Sequence, residues 1–194
     1  MSDKAIYLGS KALYQNEAEV QLLEVEKNGE LFYKIENSNE MPAFFMSIVS
    51  ASNHWLFVSS NGALTAGRKN SEHAILPYYT DDKITEGSET TGSKTIFLVT
   101  KDEQTFLWEP QSDLYKGVYD IQRNLYKNKL GNKVLFEEIN RDLGLIYSIE
   151  WTTSDVFGFI RKSVLKNTDS TRVGIRFIDG LQNVLPYGVG EWQQ

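Results

Sequence analysis

The chain of 194 residues has no cysteine, only two histidines and only four prolines. Without cysteine it can form neither a disulfide framework nor a thiolate metal site, a composition that suits a reducing compartment. The low proline content, with 41% hydrophobic and 12% aromatic residues, is atypical of disordered chains. Length and composition therefore predict one globular domain over residues 1–194, with a core large enough to need no covalent cross-links.

Long apolar runs and basic stripes are also missing from the sequence. No stretch approaches the roughly 20 apolar residues of a transmembrane helix, and the N-terminal segment lacks the apolar region of a secretory signal. We therefore expect a cytoplasmic protein with no membrane partner. The net charge is −6, and the densest basic segment, Arg123–Lys133, holds four cations. This pattern favours a solvated hairpin over a nucleic-acid surface.

Hairpin signals recur along the whole chain. Asn28-Gly29 separates two strand-like runs, and Asn-Gly is the strongest short signal for a type I′ turn because both residues tolerate positive φ. Asn61-Gly62 and Lys101–Glu103 interrupt later apolar runs in the same way. After Val118 the predicted turns lie at residues 129–133, 140–144, 152–155 and 166–170.

Period-two alternation is clearest in the stretch LIYSIEW. Leu145, Tyr147, Ile149 and Trp151 fall on one face of a strand, which predicts that they face the core together. Helix signals are weak, so we predict an all-β chain of about ten to twelve strands in a two-layer antiparallel β-sandwich, because a sheet of that size folds into packed layers. The strands after Val118 are predicted to form one antiparallel meander.

One long polar segment interrupts this pattern. The sequence SSNGALTAGRKNSEHAILPYYTDDK, residues Ser59–Lys83, contains charged, amide and aromatic residues with almost no hydrophobic period. Long loops in compact domains are usually functional. We predict that Ala66–Lys83 is a loop outside the sandwich core, and that at least one of Tyr78 and Tyr79 meets solvent, another domain or a ligand.

Candidate catalytic groups are few. His54 and His73 could serve as an acid–base pair on a sugar anomer if a fold brought them together, but they are also typical of a turn residue and a loop hydrogen-bonder. Asp81 and Asp82 could act in glycoside hydrolysis if held roughly 5–9 Å apart, could order the loop around calcium, or could simply shape a turn. Trp108 and Trp151 lie in predicted strands and are expected in the core, whereas Trp192 is a candidate sugar platform.

Several of these features follow one another in a recognisable order: an apolar strand after proline, a Ser-x-x-Gly turn, a Thr-x-x-x-x-Asn-Ser-Glu loop, a Leu-Pro-Tyr sequence leading to paired aspartates, and a hairpin that ends in Trp-x-Pro. They are carried by Pro42, Ser59–Gly62, Thr65, Asn70, Ser71, Glu72, Leu76, Pro77, Tyr78, Asp81, Asp82, Trp108, Glu109 and Pro110. The order resembles the N-terminal domain of glycoside hydrolase family 94, the cellobiose and chitobiose phosphorylases and cyclic glucan synthases.

The resemblance implies a β super-sandwich of the galactose-mutarotase type that packs against a C-terminal (α/α)₆ barrel, with the catalytic acid in that barrel. The chain would then be the non-catalytic N-terminal fragment of a glycoside phosphorylase or hydrolase, with no cofactor or metal, and its partners would be the catalytic domain, an oligosaccharide and, in some assemblies, a second copy in a homodimer. The residues implied to contact carbohydrate or the neighbouring domain are Arg68, Asn70, Glu72, His73, Tyr78, Tyr79, Asp81 and Asp82.

Three departures limit what the resemblance transfers. Ala66 stands where the family often has an aromatic residue, residues 72–74 read Glu-His-Ala where the family has arginines, and Tyr78 replaces a tryptophan. Substrate contacts made by those arginines are therefore not carried over. An autonomous carbohydrate-binding module, with Tyr78, Tyr79 and Trp192 as platforms, is the alternative function, and a mutarotase-like epimerase is a third.

Overall fold

A computed structural model of the chain describes residues 5–15, 17–79 and 82–193. Strands account for 52% of the chain and helices for 7%. The strands of the described residues are β1 (Tyr7–Leu8), β2 (Lys11–Ala12), β3 (Gln21–Lys27), β4 (Glu30–Glu36), β5 (Phe45–Ile48), β6 (His54–Ser59), β7 (Leu64–Arg68), β8 (Gly92–Lys101), β9 (Gln104–Trp108), β10 (Ile121–Asn128), β11 (Lys133–Asn140), β12 (Leu145–Ser154), β13 (Gly158–Asn167) and β14 (Gly174–Gln182).

Helical structure is confined to short segments. The described residues form one α-helix, α1 (Asp82–Glu86), and 3₁₀ turns at Ser38–Glu40, Ser71–His73 and Glu191–Gln193. None of the helices in this part of the chain has the length and apolar character needed to cross a membrane.

The strands pack as two layers with a small N-terminal ribbon. The first layer is a six-stranded antiparallel sheet in the order β13-β12-β11-β10-β4-β3. The second consists of two three-stranded antiparallel sheets, β5-β6-β7 and β14-β8-β9, joined by a bridge between Ala63 and Gly92. The ribbon pairs β1 with β2. The prediction of an all-β, two-layer antiparallel sandwich with little helix is confirmed.

The hairpin turns lie where the sequence places them. Asn28 and Gly29 adopt φ values of 54° and 78° between β3 and β4, as a type I′ turn requires. Asp102 and Glu103 likewise have positive φ, 49° and 64°, between β8 and β9. Turns separate the five strands from β10 to β14 close to the four positions predicted after Val118, but the third begins only at Asp155, because residues 152–154 belong to β12.

The predicted meander ends one strand early. Strands β10 to β13 pair consecutively, but β14 crosses to the second layer and pairs with β8. There Ile175 lies opposite the fully buried Val99 and packs against the main core. Most of β14 is exposed, so its nine-residue pairing with β8 and the packing of Ile175 take the place of a fifth position in the meander.

The core lies between the two layers. Leu145, Tyr147, Ile149 and Trp151 are each 5% exposed or less and belong to one cluster with residues of the second layer, so the predicted common face of β12 is confirmed. Trp108, which is 2% exposed, joins the same cluster. The alternation of apolar and polar residues along β12 therefore correctly identifies the face of the strand that points into the core.

The prediction that Ala66–Lys83 is a loop outside the core is wrong in part. Ala66 belongs to β7, and Leu76 is 1% exposed within the main core. The backbone amides of Ile75 and Leu76 both donate to the carbonyl of Ala66, at 2.8 and 3.4 Å, and Gly67 bridges to Ala74. Because Leu76 is apolar, the segment folds back onto β7, and only the turn between them projects.

Candidate functional site

The projecting turn begins where β7 ends, at Arg68. Lys69 has a φ of 67°, and the amide of Asn70 donates to the carbonyl of Arg68 at 2.9 Å, which together define the strained form of a γ-turn. The amide of Lys69 donates to the carbonyl of Asn53 at 2.7 Å, which ties the turn to the residue that precedes β6. Both basic side chains of the turn are consequently held at the surface, where they are exposed.

The 3₁₀ turn at Ser71–His73 packs closely on β7. Oδ1 of Asn70 lies 2.7 Å from Nδ1 of His73 and fixes the imidazole. Gly67 permits this approach, since a Cβ there would lie 2.3 Å from Cζ2 of Trp55 and 2.7 Å from the carbonyl oxygen of His73. Only a residue without a side chain fits this contact.

A segment near the C-terminus completes the site. The amide of Leu185 donates to the carbonyl of Ile75 at 2.9 Å, and Gly190 lies so near Glu72 that a Cβ at that glycine would be 2.8 Å from Oε2 of Glu72. The two segments line an open cavity of about 530 Å³. It is lined by Arg68, Lys69, Glu72, His73, Ala74, Ile75, Leu185, Tyr187, Gly188 and Val189.

The lining combines two kinds of surface. Arg68, Glu72 and His73 supply charged and hydrogen-bonding groups, while Leu185 and the fully exposed Tyr187 supply apolar and aromatic surface. The volume falls within the roughly 300–1,000 Å³ of small-molecule sites, which also pair apolar walls with a few polar groups. The cavity is therefore the candidate binding site.

The structure brings some of the predicted contact residues together and separates others. Arg68, Glu72 and His73 line the cavity. Asn70 does not line it but holds the imidazole of His73 in place through a hydrogen bond. Tyr78 instead packs edge to face on Trp55, with ring centroids 5.3 Å apart.

The other predicted contact residues lie beyond the cavity lining. Tyr79 is half-buried, Asp82 begins α1, and Asp81 lies outside the described residues. The carboxylate pair considered for glycoside hydrolysis or calcium therefore stays a prediction.

The two histidines occupy different surroundings. Nδ1 of His54 lies 2.7 Å from Oγ of Ser52, and its ring packs edge to face on Phe159 at 5.7 Å. His73 lines the cavity and is bonded to Asn70. Within the described residues no group of three or more His, Asp or Glu side chains could hold a metal ion.

Sequence reasoning missed Lys69 and Tyr187. The residues around Tyr187 include Pro186, Gly188 and Gly190, a composition typical of a linker, and this hid the aromatic residue. The tyrosine between Pro186 and Gly188 was the available signal, because linkers are usually poor in aromatic residues and an exposed aromatic ring often marks a binding site.

Comparison with models of protein families and with curated proteins finds no match.

Proposed function

We propose that the chain is a non-catalytic β-sandwich domain of a carbohydrate-active enzyme of the glycoside phosphorylase or hydrolase type. In this proposal the 68–75 and 185–189 segments contribute one wall of a sugar site, and the catalytic acid belongs to a helical-barrel domain of the same protein. The observation that carries the proposal is the cavity in which exposed Tyr187 is combined with Arg68, Glu72 and His73.

The chemistry of the lining suits a sugar. An aromatic ring packs against the apolar face of a pyranose, and charged or imidazole groups exchange hydrogen bonds with its hydroxyls. Tyr187 is fully exposed, so it is free to stack on a ligand. A single wall leaves most of the ligand in water, and we expect affinity for neutral disaccharides of about millimolar at best.

The alternative function, an autonomous carbohydrate-binding module, uses the same cavity without a second domain. Trp192 favours it, because its indole is 84% exposed and lies near Gly190, which borders Glu72. Two aromatic platforms on one short segment would enlarge the sugar-binding surface. Affinity of the isolated chain tighter than about 0.1 mM would favour this alternative over a half-site.

Titration of the ¹⁵N-labelled chain with cellobiose and chitobiose tests the proposal. We expect amide shifts confined to residues 68–75 and 185–189, and their loss in Tyr187→Ala. Tyr7→Ala is the matched control, since Tyr7 is 61% exposed on β1. Absence of shifts, or shifts that survive Tyr187→Ala, would contradict the assignment. Phosphate release or anomerisation by the isolated chain would contradict the non-catalytic role.

A further inference from the structure

We infer that the cavity takes a saccharide with an anionic substituent, a carboxylate or a phosphate ester, and that Arg68 and Lys69 form the anion-binding pair. The inference rests on the proposed function and narrows the class of sugar to which the site is suited.

The local charge of the cavity is opposite to that of the chain. The sequence has 26 acidic and 20 basic residues, yet the lining holds the cations Arg68 and Lys69 and the titratable His73 against one carboxylate, Glu72. A cleft with an excess of one sign of charge attracts ligands of the other sign. An acidic chain that places two adjacent cations in a cavity thus favours an anion there.

These two cations differ from three arginines of the chain that have carboxylate partners. Arg123, Arg141 and Arg161 each form an ion pair with a nearby carboxylate. Within residues 5–15, 17–79 and 82–193, no ion pair involves Arg68 or Lys69. Their charges therefore remain available to a ligand.

The backbone that carries the pair is fixed in an unfavourable conformation. A γ-turn with positive φ at Lys69 is strained, and strained residues cluster at ligand clamps because the surrounding structure must hold them. Here the amides of Lys69 and Asn70 are both bonded to backbone carbonyls. The turn is thus organised before any ligand arrives, which reduces the ordering cost of binding.

The rest of the lining favours a ligand that is larger than a bare anion. The guanidinium of Arg68 matches the two oxygens of a carboxylate or phosphate, but Leu185, Val189 and Tyr187 offer apolar surface that only a larger molecule covers. A sugar ring on that surface with its anion toward Arg68 and Lys69 uses both halves of the cavity.

Calorimetric titration of the full chain at low salt with glucose, glucuronic acid, glucose 6-phosphate and inorganic phosphate tests the inference. We expect at least one anionic sugar to bind about tenfold more tightly than glucose, the gain of one charge-assisted hydrogen bond, and to weaken as salt is raised. The tighter of the two anionic sugars identifies the substituent as carboxylate or phosphate.

A double variant isolates the cation pair. Arg68→Gln/Lys69→Gln should lower the affinity for the anionic sugar to the affinity that the same variant has for glucose, so that the roughly tenfold preference is lost, and should lower the affinity for glucose by a much smaller factor. Lys162→Gln/Lys166→Gln removes the same charge from exposed positions on β13 and should leave both unchanged. An equal loss in this control would overturn the inference, since it would show only an effect of net charge.

The four ligands separate the inference from the proposed function. Equal affinity for glucose and the anionic sugars would overturn the inference and leave the carbohydrate function standing. Inorganic phosphate binding as tightly as glucose 6-phosphate would also overturn it, because the site would then recognise an anion alone. Failure of every sugar to bind would overturn both.

Discussion

Nε1 of Trp108 donates a hydrogen bond of 2.7 Å to Oε1 of Glu138 and joins the two layers of the sandwich through a buried carboxylate. Glu138 is 1% exposed. Its other oxygen accepts from Nε of Arg123 at 2.8 Å and from the amide of Gln111 at 2.7 Å. A charge this deeply buried is tolerated because each carboxylate oxygen accepts at least one hydrogen bond and Arg123 supplies an opposite charge.

Arg123 is held charged by the same network. Burial alone would lower the pKa of Arg123, but the facing carboxylates of Glu138 and Asp113 outweigh burial and raise that pKa. Removing the charge of Glu138 therefore leaves the buried guanidinium of Arg123 with Asp113 as its remaining carboxylate partner. Such a loss is more damaging than removal of the whole pair.

We expect Glu138→Gln to lower the free energy of unfolding by about 3–5 kcal/mol. Urea denaturation of this variant, of Arg123→Met and of the double variant Arg123→Met/Glu138→Gln forms a cycle. The double variant should lose less stability than the sum of Glu138→Gln and Arg123→Met. A loss below about 1 kcal/mol for Glu138→Gln would show that the buried carboxylate is dispensable.

A second polar cluster closes the sandwich at the β13–β14 side. Arg161 on β13 donates to both carboxylate oxygens of Asp179 on β14, at 2.8 and 2.6 Å, and Thr95 donates to Asp179 at 2.6 Å. Partial burial would raise the pKa of Asp179, but these hydrogen bonds and the charge of Arg161 outweigh it and hold that pKa well below its usual value.

Stability should therefore fall in acid through Asp179. Because the pKa is lower in the folded state, the unfolded chain binds the proton first. The contribution is present above the ordinary aspartate pKa of about 4 and is lost as the pH falls below it. Unfolding free energies measured from pH 6 to pH 2 should drop less steeply in Asp179→Asn and in Arg161→Gln than in the unaltered chain. Parallel curves for all three proteins would contradict this role.

The two layers depend on large aromatic residues of the core. Trp151 is 5% exposed and packs in the main cluster, whereas Trp192 is 84% exposed. Trp151→Ala should cost about 3–5 kcal/mol of unfolding free energy, through lost burial and the cavity that remains. Trp192→Ala is the control and should change stability by under about 0.5 kcal/mol. A similar loss in both variants would mean that indole burial is not what stabilises the sandwich.

Local patterns in the sequence were enough to predict much of the fold. The alternation from Leu145 to Trp151 identifies the inward face because a strand has a period of two, and Asn28-Gly29 identifies its turn through φ preference. These features depend on neighbouring residues alone. The pairing of β14 with β8, in contrast, depends on residues far apart in the sequence, and the local pattern of β14 is compatible with a place in either layer.

The candidate site was harder to predict for the same reason. Arg68, Glu72 and His73 stood out as polar residues in one segment, but their aromatic wall, Tyr187, comes from a distant part of the chain. The hydrogen bond from Leu185 to Ile75 that brings the two segments together is between backbone atoms and leaves no signature in side-chain pattern. Leu76 was likewise hidden, because one leucine in a polar segment has no period.

The close packing of β7 against the 3₁₀ turn gives a last prediction, for Gly67→Ala. The new Cβ would lie 2.3 Å from the indole of Trp55 and 2.8 Å from Cα of Ala74. The Cα of Ala74 belongs to the backbone and cannot rotate away, so the 3₁₀ turn must move as a whole. We therefore expect a loss of about 1–3 kcal/mol in unfolding free energy.

Gly180→Ala is the matched control, because a Cβ at Gly180 in β14 meets nothing within 4 Å. It should leave both stability and the amide spectrum of residues 68–75 unchanged, whereas Gly67→Ala should shift those amides and weaken the sugar binding that we propose for the cavity. If Gly67→Ala left the 68–75 amides in place, the turn would not depend on its contact with β7. The cavity would then owe its shape to the 185–189 segment alone.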